Sequence, residues 1–195
     1  MHENFEQQER YLIVGLGNPG KSYEKTRHNI GFASIQEFAK VHGFTFSKKS
    51  QFKSDLAEGM IGSKKVVLQM PLTFMNLSGE AVALSVNFWK IAVEHLLVVV
   101  DDVAIALGEL RLKINSGCGG HNGLKSIEEH LHTQRYARLK IGVGDRQEGD
   151  LSSHVLGRFS EDEQKVVPSV VERSVQATEI WLTQGITSAM NFANK

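Results

Sequence analysis

Four turn segments hold the residue types that could do chemistry. They are Gly15-Leu16-Gly17-Asn18-Pro19-Gly20, Thr26-Arg27-His28-Asn29, Pro71-Leu72-Thr73-Phe74-Met75-Asn76-Leu77-Ser78-Gly79 and Gly117-Cys118-Gly119-Gly120-His121-Asn122-Gly123-Leu124-Lys125. An asparagine amide offers both N–H donors and a carbonyl acceptor. Asn18, Asn76 and Asn122 therefore suit an ester or amide, with donors for its carbonyl oxygen and acceptors for its N–H or for a water. One such donor aimed at an oxyanion contributes roughly 3 to 4 kcal/mol in the transition state. Each asparagine alone reads better as a turn residue bonding its own backbone, and only the three together at corresponding loop ends tilt toward a site. His28 is the candidate base, since an unperturbed imidazole titrates near pH ~6.5 and can accept a proton at neutral pH. It needs a carboxylate to orient it and to stabilise the imidazolium it becomes. Asp101, ending the most apolar run of the chain, is the natural partner, and Asp102 beside it is the alternative. The pattern points to hydrolysis of a carbonyl bond by activated water, with no covalent nucleophile, metal or organic cofactor.

Competing chemistries fit less well. Gly15-x-Gly17-x-x-Gly20 has the spacing of a dinucleotide fingerprint. Pro19 sits inside that turn, however, and no acidic residue ends a second parallel strand where a ribose needs it. Neither a Gly-x4-Gly-Lys-Ser/Thr loop nor a Gly-x-Ser-x-Gly elbow is present. Cys118 and His121 lie three apart, but a zinc site needs about four ligands and no second pair accompanies them.

The elements that must position these residues follow from the hydrophobic pattern. Residues 11–14 read as a buried strand running into the Gly15 turn. Thr26 is placed to cap a helix over 26–41, with Ile30, Ala33, Phe38 and Val41 on one face and Gly43 as its stop. Residues 52–58 and 65–69 read as a hairpin around Gly62-Ser63. A helix over 79–90 precedes a strand over 96–100, buried on both faces and ending in Asp101-Asp102. Further strands are expected over 109–113 and 137–144, with a helix over 122–132 between them. Residues 145–159 read as a long loop or lid. Ser160 and Glu163 form a capping box that opens a helix to Gln184, and the tail holds one more turn. Strands alternating with helices imply an α/β fold: one layered domain over 10–195 with a twisted, mostly parallel (mixed) central sheet flanked by helices. Residues 1–9 read as a disordered tail. In this architecture ligands bind beyond the carboxyl ends of strands, where Asn18 and Asp101 both fall.

Composition sets outer limits. The chain has 195 residues, 41% of them hydrophobic, which suits one ordinary globular domain. Lys+Arg and Asp+Glu both number 22, so any nucleic-acid surface must be local. A candidate lies between residues 111 and 140, where six Lys/Arg against Glu128 and Glu129 leave an excess of four next to a helix N-terminus, a pattern that fits an ordinary solvated face equally well. The single cysteine allows no intrachain disulfide, in keeping with a reducing cytoplasm. No apolar run is long enough to span a bilayer.

The four turn motifs, in this order and spacing and with Tyr23 before the second, resemble those of bacterial peptidyl-tRNA hydrolases over about residues 12–185. The resemblance implies an enzyme that cleaves the ester between a peptide and the 3′ ribose of tRNA, freeing tRNA stranded by premature ribosome drop-off. It implies His28 as catalytic base, Asp101 as its orienting acid and Asn76 as an organiser of the water. It implies that Asn18, Tyr23, Phe74, Asn76 and Asn122 contact the peptide or the 3′ end. Lys113, Lys125, Arg138 and Lys140 would grip tRNA, with Lys140 standing where arginine is often found. A monomeric cytoplasmic enzyme without metal or cofactor follows, with peptidyl-tRNA as partner and no membrane. The alternative is a non-catalytic RNA-binding protein on the same scaffold, as in plant-organelle relatives that serve in splicing.

Overall fold

The computed structural model describes residues 9–144 and 151–195; of the tail expected over 1–9, residues 1–8 lie outside them. Among the described residues seven strands form one mixed sheet: β1 (Arg10–Gly15), β2 (Ser47–Lys49), β3 (Ser54–Ile61), β4 (Lys64–Pro71), β5 (Leu96–Asp102), β6 (Leu110–Ile114) and β7 (Ala137–Gly142). Their order is β2-β3-β4-β1-β5-β7-β6. The four central strands run parallel, and the antiparallel strands β2, β3 and β6 lie at the edges.

The central strands are apolar on both faces because both faces are covered. Tyr11 and Ile13 of β1 and Leu97 and Val99 of β5 join one core, under α1 (Ile30–His42), α5 (Glu161–Gln184) and α6 (Ile186–Ala193). Leu12, Val14, Leu96, Val98 and Val100 join the other, under α2 (Ser78–Trp89) and α3 (Asn122–Leu131). The sixth helix is α4 (Leu151–Leu156). Among the described residues no helix is long and apolar enough to cross a membrane.

Two close approaches set where the helices begin. A Cβ on Gly15 would lie 2.4 Å from the Gly31 carbonyl oxygen, and one on Gly31 would lie 2.5 Å from that of Val99. The start of α1 therefore rests on the ends of β1 and β5, which only glycine permits. On the opposite face a Cβ on Gly79 would meet the Ser126 carbonyl oxygen at 2.0 Å, so α2 and α3 touch backbone to backbone.

Several sequence expectations need correction. Thr26 caps no helix: its hydroxyl donates to the Tyr23 carbonyl, residues 27–29 form a 3₁₀ turn, and α1 starts at Ile30. Val41 is exposed, and Ile35 takes the buried position expected of it. β2 was not expected, because its three residues are all polar and exposed at the sheet edge. Phe52 belongs to a 3₁₀ turn before β3. Part of the expected loop at 145–159 is the helix α4; residues 145–150 lie outside the described ones. The tail forms a two-turn helix, α6, rather than one turn. Asn194 just beyond it bonds both the N–H and the carbonyl of Leu112.

The remaining signals read as expected. Ser160 and Glu163 close the capping box of α5, Gly43 ends α1 at φ 69°, and the β3–β4 hairpin turns at Gly62-Ser63.

Candidate active site

A cleft of about 630 Å³ opens over the carboxyl ends of β1, β4 and β5. Each strand end delivers one part of it. The turn after β1 carries Asn18, the loop after β4 carries Phe74 and Asn76, and the carboxyl end of β5 carries Asp101 next to its final residue, Asp102. The glycine loop before α3 adds His121 and Asn122, while α4 adds Ser152, Val155 and Leu156.

Asn18 is held from three directions. Its backbone N–H donates to Asn29 Oδ1 at 2.9 Å, and its carbonyl accepts from Asn29 Nδ2 at 2.9 Å. Its own Oδ1 accepts the Met75 N–H at 2.8 Å, which ties the first turn to the third. The bond to Met75 fixes the amide orientation. Nδ2 remains a donor with no partner among the described residues. Asn76 and Asn122 are exposed and line the cleft, likewise without side-chain partners among the described residues. At the mouth, Tyr23 and Phe74 meet edge to face at 6.4 Å between ring centroids, with Phe74 55% exposed. An exposed aromatic beside a cleft offers a stacking surface.

The base of the cleft is a carboxylate between two imidazoles. His28 Nδ1 lies 2.9 and 3.0 Å from the two oxygens of Asp101. His121 Nε2 lies 3.1 Å from Oδ1 of the same carboxylate. Burial pushes the Asp101 carboxyl up, but the charges and hydrogen bonds of His121 and then His28 reverse this and hold it well below the usual carboxylate range. An ionised carboxylate only accepts, so both facing nitrogens carry protons. His28 Nε2 is then the free lone pair.

His121 has no such freedom. Its Nδ1 accepts the backbone N–H groups of Gly123 at 3.1 Å and Leu124 at 3.3 Å, capping α3. Its proton must therefore sit on Nε2. These three side chains have potential ligand atoms within 4.8 Å of one another, a spacing open to a metal. Metal on His121 Nε2 would force the proton to Nδ1, against two backbone donors. The local chemistry favours shared protons over an ion.

The two candidate acids divide their work. Asp101 faces His28, whereas Asp102 accepts the Lys140 ammonium at 2.8 Å and the Ala104 N–H at 2.9 Å. Sequence reasoning placed His121 only among basic-surface and zinc possibilities. The signal that could have revealed it was its position just ahead of a helix, where a side-chain acceptor caps.

The basic residues are scattered. Lys140 lines the cleft, while Lys113 on β6 and Lys125 on α3 are exposed outside it. Arg138 corrects an expectation: it is 0% exposed and cannot meet a phosphate at the surface. Its guanidinium donates to Glu128 at 3.0 Å and to the Gln134 carbonyl at 3.1 Å, and lies 4.0 Å from the Tyr136 ring centroid. Residues 138 and 140 share a strand face, but Arg138 pairs with Glu128 of α3 whereas Lys140 pairs with Asp102 and reaches the cleft.

Comparisons with known proteins agree with this architecture. The sequence profile of the family described as peptidyl-tRNA hydrolase matches residues 12–195. A peptidyl-tRNA hydrolase of Caldanaerobacter subterraneus subsp. tengcongensis is 46% identical over 184 residues, covering 94% of this chain and 99% of that one. One of Clostridium acetobutylicum is 43% identical, with 94% and 97% covered. The crystal structure of peptidyl-tRNA hydrolase from Acinetobacter baumannii superposes with a TM-score of 0.90 at 36% identity, covering 94% of each chain.

Proposed function

The chain belongs to the peptidyl-tRNA hydrolase family and is an ester hydrolase acting on peptidyl-tRNA, and we propose that His28 is its catalytic base. Neutral His28 takes a proton at Nε2 from a water in the cleft. The hydroxide attacks the ester carbonyl that joins the peptide to the 3′ ribose of tRNA. Asp101 holds the Nδ1 proton and stabilises the imidazolium without itself being protonated. The imidazolium then returns its proton to the departing ribose oxygen.

The amides divide the remaining tasks. Asn18, fixed through its Oδ1, presents Nδ2 to the developing oxyanion or to the substrate carbonyl. Asn76 and Asn122, with donors and acceptors free to adapt, order the water and the peptide main chain. Tyr23 and Phe74 offer their rings to the 3′-terminal region. Lys140 inside the cleft, with Lys113 and Lys125 outside it, serves the phosphates of tRNA. No step calls for metal or organic cofactor. The enzyme works as a cytoplasmic monomer, checked by its elution volume in gel filtration.

The observation that carries this reading is the pair of contacts at 2.9 and 3.0 Å between His28 Nδ1 and Asp101, at the floor of a cleft lined with amides. It is tested by release of labelled N-acyl amino acid from N-acyl-aminoacyl-tRNA. His28→Ala should lower kcat by about 10² to 10⁴-fold while tRNA binding persists. Full turnover in that variant refutes the assignment.

A further inference from the structure

Arg27, one residue before His28, sends its side chain away from the cleft. Nη1 donates to the Arg158 carbonyl at 2.7 Å, and Nη2 to Glu163 Oε2 at 2.7 Å. The guanidinium carbon lies 5.1 Å from the Phe159 ring centroid. Its backbone N–H donates to the Gly157 carbonyl at 3.0 Å, and Thr26 forms an antiparallel bridge with Arg158. Residues 157–159 are where the chain leaves α4 and turns into α5. α4 in turn supplies Ser152, Val155 and Leu156 to the cleft. A single side chain, 12% exposed, thus joins the exit of one cleft wall to the turn that presents the imidazole.

Only arginine matches this arrangement. Its two acceptors diverge, one a backbone carbonyl and the other a carboxylate on the first turn of α5. A planar fork reaches both, and its cation sits over the ring of Phe159. A lysine keeps the charge but cannot span the same pair with fixed geometry. Glu163 Oε2 also accepts the Ser160 N–H at 2.6 Å, so the cap of α5 and the Arg27 clamp share one oxygen.

We propose that Arg27 is a positioning residue that locks the α4 wall to the His28 turn, so that cleft width and imidazole placement are set together. It acts through its neighbours and does not line the cleft. Its kinetic consequences rest on the hydrolase reading; its structural consequences do not.

The test compares Arg27→Gln, Arg27→Lys, Glu163→Gln and the Arg27→Gln/Glu163→Gln double variant with wild type. Glutamine at 163 keeps an acceptor oxygen for the capping box and for Arg27 but loses the charge, so that change weakens the ion pair and spares the cap. Hydrogen exchange is read at the amides of Arg27, Gly157 and α4, with β5 as internal reference. KM and kcat are measured on N-acyl-aminoacyl-tRNA.

In Arg27→Gln the amides at 27, 157 and α4 should exchange about tenfold faster with β5 unchanged, and KM should rise about tenfold with kcat within about threefold. Glu163→Gln and Arg27→Lys should shift the same readouts less, and the double variant should be no worse than Arg27→Gln. A merely structural role would instead speed exchange everywhere and lower kcat at constant KM. Unchanged exchange around α4, or that uniform loss, overturns the proposal. If Arg27→Gln does not fold, Arg27→Lys and Glu163→Gln decide by the same criteria. Faster local exchange in a chain whose wild type lacks esterase activity would refute the hydrolase reading and leave the clamp standing.

Discussion

Asp101→Asn is the substitution whose outcome the geometry specifies most closely. The carboxylate accepts from both histidines, with Oδ1 serving His121 and His28 and Oδ2 serving His28 alone. An asparagine has one acceptor and one donor end. His121 cannot adapt, because its Nδ1 is held by two backbone N–H groups and its Nε2 must donate. The asparagine oxygen therefore goes to His121, and its N–H₂ faces His28 Nδ1. That N–H₂, in the Oδ2 place 3.0 Å from Nδ1, opposes a proton there and favours it on Nε2, which removes the base. The expected fall in kcat is about 10³ to 10⁴-fold, as for wrong-tautomer variants elsewhere.

Removing His121 should partly reverse this. In Asp101→Asn/His121→Ala the amide is free to rotate and accept from His28. Turning it in the single variant would set donor against donor at His121, a buried mismatch costing about 1 to 3 kcal/mol. The double variant should therefore recover about 10 to 100-fold of the lost rate. The assay is single-turnover hydrolysis of N-acyl-aminoacyl-tRNA at saturating enzyme. If Asp101→Asn keeps more than about a tenth of wild-type kcat, or the second substitution lowers it further, the tautomer argument is wrong.

Three more outcomes follow from the structure. Lys113→Ala, at an exposed position, should raise KM for full-length tRNA and lower the slope of log binding against log salt by about 0.7 to 0.9 if the lysine meets one phosphate; an unchanged slope excludes that contact. Arg138→Met should instead cost about 3 kcal/mol of stability by removing the buried cation from Glu128, which keeps only the Gln134 amide, visible as a lower urea midpoint, with the salt slope of tRNA binding unaltered. Asp101 ties acid stability to the site: its carboxyl lies lower in the folded chain than in the unfolded one, so its contribution is present above about pH 4 and is lost as pH falls through the folded value. Urea midpoints between pH 2 and 6 should therefore fall less steeply in Asp101→Asn than in wild type.

Much of the layer arrangement was legible locally. Runs apolar on every residue, such as 12–14 and 96–100, demand cover on both faces, and glycine and capping signals mark where helices stop and start. The turn motifs made Asn18, His28, Asn76 and Asn122 candidates because their residue types imply the chemistry. What defeated local reading was exposure and register at the margins. β2 carries no apolar pattern because it covers nothing, and Thr26 resembles a cap until its hydroxyl is seen turned back onto Tyr23.

Sequence alone determined which groups could act: an imidazole, a neighbouring pair of acids, three amides and a local excess of positive charge. Tertiary structure decided how they act, because direction and protonation depend on partners distant along the chain. It chose Asp101 over Asp102 by turning successive residues of one strand to opposite faces. It gave His121 a fixed proton by placing it at the start of α3. It separated Arg138 from Lys140 by pairing the first with Glu128 of α3 and setting the second at the cleft beside Asp102. Periodicity tells which residues share a face, but only packing tells what lies against that face.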